Sequence, residues 1–387
     1  MRANLIIFGG TGFKNLGDNA MALSLKYLAE KYYPQDKVYI LSPNHSLQKP
    51  DPKFYPSLKT PKSWREWVHF FQLMLKTKRV VIGGGGLLHD LTPNFYRPFA
   101  RLALLSRLLG AKPIFFGVGV YKPTTLKFKI FLKILNLLKI GVVTRDKESE
   151  RVLKKIGIQH LSPSYDPAFV FSQIYDSEPD RLESNQLNKT EPVIGVNLRR
   201  LPPRLGLYPE HEENIFKKIA LALDQIINQL DSKVLFVPFS SRYGERDEDC
   251  HNFILDNMRY SNRCQSLKFS DDPGHTWFKL KEVDLCLGMR LHSVIFAASL
   301  GIPTVALAYE RKIYNIAQQL KIEKVIDPLN FEPEALSESV IYVWKNKKDI
   351  SIRLKQTAKD FAQKVMDDWD RLVMDGDFNS PRRKRDD

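Results

Sequence analysis

Short apolar runs alternate along the chain with longer segments of helical pattern. The runs Leu5–Phe8, Val38–Leu41, Arg79–Ile82, Pro113–Phe116 and Gly141–Val143 predict one set of strands. A second set follows at Val193–Asn197, Val234–Pro238, Asp284–Leu287, Thr304–Leu307 and Lys324–Ile326. These runs are nearly continuous in apolar character rather than alternating, as expected of strands covered on both faces. Several end in Gly or Pro and lead into helical patterns such as Asn19–Lys31, Glu213–Leu230 and Ser293–Leu300. That is the βαβ rhythm of a parallel sheet, and it occurs twice.

The rhythm predicts an α/β protein of two Rossmann-like domains. Between the two strand sets, Phe171 to Pro192 is rich in Ser, Asn, Asp and Glu and reads as a linker. The predicted division is residues 1–172, a linker at 173–191, residues 192–328, and a helical segment with a basic tail at 329–387. Ligands of such sheets bind beyond the carboxyl ends of the strands, so a cleft between facing sheets is the expected reaction site.

Composition narrows the class. Of 387 residues, 43% are hydrophobic and 27% charged, which excludes wholesale disorder. The three cysteines, Cys250, Cys264 and Cys286, have no disulfide or metal-ligand spacing, and a cytoplasmic setting is expected. The net charge of +15 points to an anionic partner. No leader or spanning segment is expected: the most apolar stretch, Leu126 to Ile140, is broken by Lys127, Lys129, Lys133 and Lys139.

Three Gly-rich or basic motifs follow strands. In the first, Gly9-Gly10-Thr11-Gly12-Phe13-Lys14-Asn15-Leu16-Gly17-Asp18, a strand enters a loop that opens a helix. Glycines there let backbone N–H groups approach a ligand closely, although the spacing is not that of a dinucleotide fingerprint. Asp18 and Asn15 read either as helix caps or as groups for a sugar hydroxyl, with Asp18 as its base. In the second, the strand Val80-Val81-Ile82 runs into Gly83-Gly84-Gly85-Gly86. Gly84 and Gly85 are candidates for close approach to substrate or to another chain segment, and His89 reads as a loop histidine.

The third, Gly288-Met289-Arg290-Leu291-His292-Ser293, carries the most chemistry. Arg290, His292 and helix N–H groups would converge at the end of a strand, with Ser293 able to cap the helix. Arg offers a bidentate fork, His a switchable donor and the helix end a partial positive charge, which suits phosphate or carboxylate. The competing role is a buried Arg–Asp pair beside a packed His. Arg199, after the strand Val193–Asn197, and Lys312 are further candidate cations.

Charge is also distributed unevenly. From Leu91 to Ile140 there are nine Lys or Arg and no Asp or Glu. Arg97–Leu109 and Leu126–Ile140 read either as sheet-covering helices with solvated lysines or as interfacial helices facing an anionic membrane surface. Basic stretches interleaved with aliphatic rather than aromatic residues argue against nucleic acid as partner.

Taken in order, these motifs resemble the polysaccharide pyruvyl transferase family. The resemblance rests on Asn15-x-Gly17-Asp18, Val81–Gly86, Gly117-Val118-Gly119 and Thr144-Arg145-Asp146-x-x-Ser149. It continues through Asp166-Pro167-Ala168, Gly195–Arg199, Val237-Pro238-Phe239, Arg290-Leu291-His292-Ser293 and Tyr309-x-x-Lys312. The resemblance implies a GT-B-like fold and transfer of the pyruvyl group of phosphoenolpyruvate to a sugar as a ketal. The sugar would belong to a cell-surface or exopolysaccharide, or to its lipid-linked precursor. The sequence carries no H-E-x-x-H, no Cys cluster and no aspartate pair at metal spacing, so no metal is expected, and no cofactor beyond the donor. Arg290, His292 and Asp18 would be catalytic, and Asn15, Gly84, Gly85, Arg199, Ser293 and Lys312 would bind substrate. The enzyme would be cytoplasmic, with peripheral membrane contact through the first domain. Alternatives are a GT-B glycosyltransferase using a nucleotide sugar and a non-catalytic anion- or nucleic-acid-binding module.

Overall fold

A computed structural model describes residues 4–11, 14–42, 57–59, 63–175, 191–202, 205–375 and 378. Most of the expected linker and the basic tail lie outside these residues. By internal contacts the chain divides into two compact units. Unit 1 holds residues 1–13, 18–171 and 361–387, and unit 2 holds residues 14–17 and 172–360. The segment expected at 329–387 therefore divides between them at Phe361.

Unit 1 is built on a seven-stranded sheet. Its strands are β1 (Asn4–Phe8), β2 (Lys37–Ser42), β3 (Ser57–Lys59), β4 (Thr77–Leu88), β5 (Lys112–Val120), β6 (Gly141–Thr144) and β7 (Leu161–Pro163). The order is β3-β2-β1-β4-β5-β6-β7, and every pairing is parallel. Chain order reverses between β1 and β4, which is the switch point of the sheet. The helices are α1 (Leu16–Tyr32), α2 (Trp64–Leu75), α3 (Arg97–Leu108), α4 (Leu126–Leu137) and α5 (Lys147–Ile156).

Strand alternation sorts the layers. Ile6, Val80, Ile82, Phe115 and Val142 share one core with buried residues of α2, α3, α4 and α5. Right-handed crossovers put those four helices on that face. The opposite face, with Ile7, Val81 and Phe116, is also buried. There the Trp369 ring packs edge-on against Phe116 at 5.1 Å.

Unit 2 repeats the scheme with β8 (Val193–Asn197), β9 (Lys233–Phe236), the hairpin β10 (Ser241–Arg242) and β11 (Glu245–Arg246), β12 (Cys264–Ser266), β13 (Leu285–Gly288), β14 (Thr304–Leu307) and β15 (Val325–Ile326). The six-stranded order is β12-β9-β8-β13-β14-β15, so the switch point lies between β8 and β13. Its helices are α6 (Ser172–Tyr175), α7 (Pro209–Leu230), α8 (Asp247–Asp256), α9 (Pro273–Leu280), α10 (Leu291–Leu300), α11 (Arg311–Gln319), α12 (Pro333–Lys345) and α13 (Lys347–Asp368). The last residues of α13 return to unit 1.

Three local expectations are corrected. The glycine run at 83–86 is not a loop after a strand but part of the twelve-residue strand β4. The strand expected to reach Pro238 ends at Phe236. Arg290, not Ser293, holds the N-cap position of α10; the Ser293 hydroxyl donates back to the Arg290 carbonyl at 2.8 Å.

Two core residues have measurable consequences. Trp369 is fully buried, so Trp369→Ala should lower unfolding free energy by about 3–5 kcal/mol in denaturant titration. His251 in α8 is also fully buried, its Nε2 accepting from the Leu198 N–H at 3.5 Å. Burial lowers its pKa to about 4, and the nearby Asp247 opposes this only in part. The unfolded imidazole takes up a proton near pH 6.5 while the native one does not, so stability falls as pH drops from 6.5 toward 4. The loss should approach about 3 kcal/mol, and His251→Gln should flatten that step when unfolding midpoints are compared across the window. Carboxylates held low, such as Glu245, add their loss only as pH nears 4.5, at the acid end of this window.

Candidate functional site

The carboxyl ends of the unit 2 strands gather the candidate cations. Asn197 ends β8, and Arg290 follows β13 directly beside it: the Arg290 N–H donates to Asn197 Oδ1 at 3.1 Å. Both therefore stand at the switch point. Under them lies Asp247, the first residue of α8, with no exposed surface. Its carboxylate accepts from the N–H groups of Phe239 (2.9 Å) and Ser240 (3.1 Å) and from Asn197 Nδ2 (3.3 Å). Arg290 completes the set through Nε (2.8 Å) and Nη2 (2.6 Å). Burial alone would lower the Arg290 pKa; the charge and hydrogen bonds of Asp247, with Tyr309 and Glu245, together outweigh it and move the group upward.

The Arg–Asp pair described as the competing role for Arg290 is thus present. It does not use the whole guanidinium. Nη2 also donates to the Glu245 carbonyl at 3.1 Å, and among the described residues Nη1 has no hydrogen-bond partner.

Around this pair the other candidates converge. Arg199 donates from Nε to the Arg200 carbonyl (2.9 Å) and from Nη1 to the Tyr309 hydroxyl (3.0 Å). Its Nη2 lies 3.2 Å from the Glu245 carboxylate. Lys312, in the first turn of α11, pairs with Glu310 at 2.5 Å. Glu245 sits on the β10–β11 hairpin, whose turn is made by the exposed Tyr243 and by Gly244 at φ +74°. Partial burial would raise the Glu245 pKa, but Arg199, Arg290, Arg242 and Lys312 together hold it below its ordinary value. Burial pushes the Tyr309 phenol upward, so it stays protonated and serves as a fixed polar contact.

His292 lies in the first turn of α10. A methyl group at Gly17 would stand 1.9 Å from its Nδ1, so only glycine allows the chain to pass the imidazole there. Asn15 Oδ1 accepts from the Gly17 N–H at 3.1 Å, as an N-cap does. Asn15 also bridges to Ser240, and the Lys14 carbonyl accepts from the Ser241 N–H at 3.0 Å.

In unit 1 the switch point holds the glycines. A Cβ at Gly9 would meet the Gly83 carbonyl oxygen at 2.3 Å, and one at Gly83 the Phe116 carbonyl oxygen at 2.5 Å. Gly84, at φ +76°, would meet Met21 of α1 at 2.7 Å. The partner that these glycines approach is therefore the chain itself. Asp18, in the first turn of α1, lies against Gly10 and Gly85, with the hypothetical Cβ atoms 3.0 Å and 3.3 Å from its carboxylate oxygens. Near the same strand ends Arg145 pairs with Asp166 at 3.0 Å and lies against Gly119, while His89 stacks on Phe95 at 4.2 Å.

Sequence reading brought Arg199, Arg290, His292, Ser293 and Lys312 to one sheet end, and missed Asp247, Glu245 and the role of Tyr309. For Asp247 a signal existed. Asp247-Glu248-Asp249 after a Tyr-Gly turn marks a helix N-terminus, where acids are favoured. Nothing in the sequence ties it to Arg290.

A family model described as polysaccharide pyruvyl transferase matches residues 15–311. The amylovoran biosynthesis protein AmsJ of Erwinia amylovora is 25% identical over 283 residues, 70% of this chain. The aligned part spans 66% of AmsJ, just under two-thirds of its length. Among solved structures, S. aureus MnaA with UDP matches with a TM-score of 0.61 at 11% identity over 100% of both chains. UDP-GlcNAc 2-epimerase of Methanocaldococcus jannaschii matches at 0.59 and 12% identity, over 88% of this chain and 92% of that one. These two likenesses concern the fold, which is GT-B-like. With the family match spanning well over half of its residues, the chain belongs to the polysaccharide pyruvyl transferase family.

Proposed function

We propose that the protein moves the pyruvyl group of phosphoenolpyruvate onto two hydroxyls of one sugar, forming a ketal and releasing phosphate. One observation carries this reading. At the switch point of the unit 2 sheet, Arg199 pairs with the Glu245 carboxylate at 3.2 Å and Arg290 donates to the Glu245 carbonyl at 3.1 Å, and the charges of Arg242 and Lys312 also help hold Glu245 below its ordinary pKa. A small ligand with a phosphate and a carboxylate suits such a cluster. Family membership and a relative named for amylovoran biosynthesis support a polysaccharide acceptor, free or lipid-linked.

The reaction requires a proton at the methylene carbon of the donor, which leaves positive charge on the central carbon. One sugar hydroxyl adds there and a second displaces phosphate. Of the two hydroxyl protons lost, one balances the proton given to carbon and the other leaves with phosphate. Arg290 Nη1, Arg199 and Lys312 are assigned to the donor anions. His292 is assigned to the phosphate or to the proton delivered to carbon, and Asp18, next in sequence to Gly17, to the acceptor hydroxyl.

Two outcomes are expected. Incubation with phosphoenolpyruvate should release inorganic phosphate only when an acceptor is added, in a screen of galactosyl, glucosyl and N-acetylmannosaminyl sugars. Asp18→Asn should keep the thermal stabilisation by phosphoenolpyruvate while slowing release by about 10²-fold or more. Stabilisation by a nucleotide sugar with no response to phosphoenolpyruvate would overturn the reading. Glu245→Gln removes the carboxylate that now competes for the cations, so KM for phosphoenolpyruvate should fall by about tenfold, or roughly 1.4 kcal/mol. A raised KM, measured by phosphate release, would instead make Glu245 a ligand-supporting group.

A further inference from the structure

In unit 1 the layer of α2, α3 and α4 has an outer surface at odds with a water-facing one. The buried sides of these helices, including Phe70, Phe99 and Phe128, fill the core under the sheet. Yet α2 also exposes Trp64 (73%), Val68 (42%), Phe71 (40%) and Leu75 (53%). That spacing, i, i+4, i+7, i+11, forms one stripe along the outer side of the helix. The same spacing recurs on α4, where Leu126 (72%), Ile130 (48%), Lys133 and Leu137 (80%) point outward. Helix α3, between them in chain order, exposes Arg101, Arg107 and Leu108 (83%).

Around the apolar positions of α3 and α4 the charge has one sign, while α2 carries one base and one acid, Arg65 and Glu66. All nine Lys or Arg between Leu91 and Ile140 except Arg97 are exposed, and no Asp or Glu occurs in that stretch. Lys133 stands within the α4 stripe, and Lys129 flanks it on one side and Lys127 on the other. Exposed leucines among lysines are what an interfacial helix presents to a bilayer. At twelve residues each, and with no helix among the described residues long and apolar enough to span, these helices would lie on a membrane rather than cross it.

We propose that the outer face of α2, α3 and α4 docks on an anionic lipid surface, the apolar stripes entering the headgroup layer and the lysines and arginines contacting lipid phosphates. Charge selects this occupant over a second copy of the chain. Two such faces would bring like charges together, whereas an anionic leaflet attracts every one of them. The assignment is independent of the reaction proposed above.

Co-sedimentation of the full chain with vesicles tests it. Vesicles of phosphatidylcholine with phosphatidylglycerol should pellet the protein, phosphatidylcholine alone should bind at least about tenfold more weakly, and high salt should release it. Changing Leu126, Ile130 and Leu137 together to Ser should weaken binding by about tenfold or more, and so should Lys127→Glu with Lys129→Glu and Lys133→Glu. Both variants alter exposed positions only, and unchanged melting temperatures confirm that they fold. Absence of binding at low salt overturns the proposal, as does binding unaffected by both variants. Self-association in the absence of lipid that the Ser variant abolishes overturns it in favour of a second copy. Docking is read without any turnover assay, so loss of the transferase reading leaves it intact.

Discussion

A fully buried carboxylate, that of Asp247, organises the end of the unit 2 sheet. It joins the segment after β9, through the Phe239 and Ser240 N–H groups, to Asn197 of β8 and Arg290 after β13. A carboxylate offers about four lone-pair directions, and here backbone amides, a side-chain amide and a guanidinium take them. Removing the guanidinium would leave an uncompensated buried charge, a loss on the order of 3–5 kcal/mol. Arg290 is thus structural and still chemically available, because the pair fixes Nε and Nη2 and leaves Nη1. A freely mobile arginine would lose side-chain entropy on meeting an anion; this one has already lost it on folding.

The unit 1 switch point follows a different constraint. There the backbones of β1, β4 and β5 and the helix α1 come too close for side chains, as the contacts of Gly9, Gly83 and Gly84 show. The result is bare backbone beside one carboxylate, Asp18. Unit 2 presents guanidinium, ammonium and imidazole at the corresponding position of its sheet. Two sheets of the same topology have been given opposite chemistry: one suited to anions, the other to hydroxyl groups.

Most of the strands were legible because strands covered on both faces must be apolar throughout. Val193–Asn197 and Thr304–Leu307 coincide with β8 and β14. The edge strands β3, β7 and β12 were not foreseen. Each is three residues long, and Ser57-Leu58-Lys59 and Cys264-Gln265-Ser266 carry too little apolar character to stand out. The glycine run read as a loop because glycine weakens strands, yet inside β4 it satisfies the close approach of Phe116 and Met21. At the site, Arg290 and His292 were legible because a strand end, a turn and a helix start are local features. Asp247 was not, since a pairing across 43 residues is set by topology and leaves no local trace. Ser293 illustrates the limit of local rules. It stands where a cap is plausible, but its hydroxyl turns back to the carbonyl of Arg290, which already holds the cap position.

Glu245 bears on the kind of anion that suits the cluster. Its carboxylate is a single charge, 37% exposed, on a short hairpin, and it lies among the same cations a donor would use. The four cations are opposed by Glu245, by Asp247 at Arg290 and by Glu310 at Lys312, which leaves positive charge in slight excess. A monoanionic ligand would do no more than replace one carboxylate by another, with nothing gained in charge. A ligand bearing both phosphate and carboxylate brings more than one negative charge in a small volume, and so gains where a monoanion does not. The displaced side chain would keep a partner in Arg242 on the same hairpin, so its release would not leave a lone charge. On the proposed reading, Glu245 thus favours a small multiply charged donor over ordinary carboxylate metabolites, through competition rather than through shape.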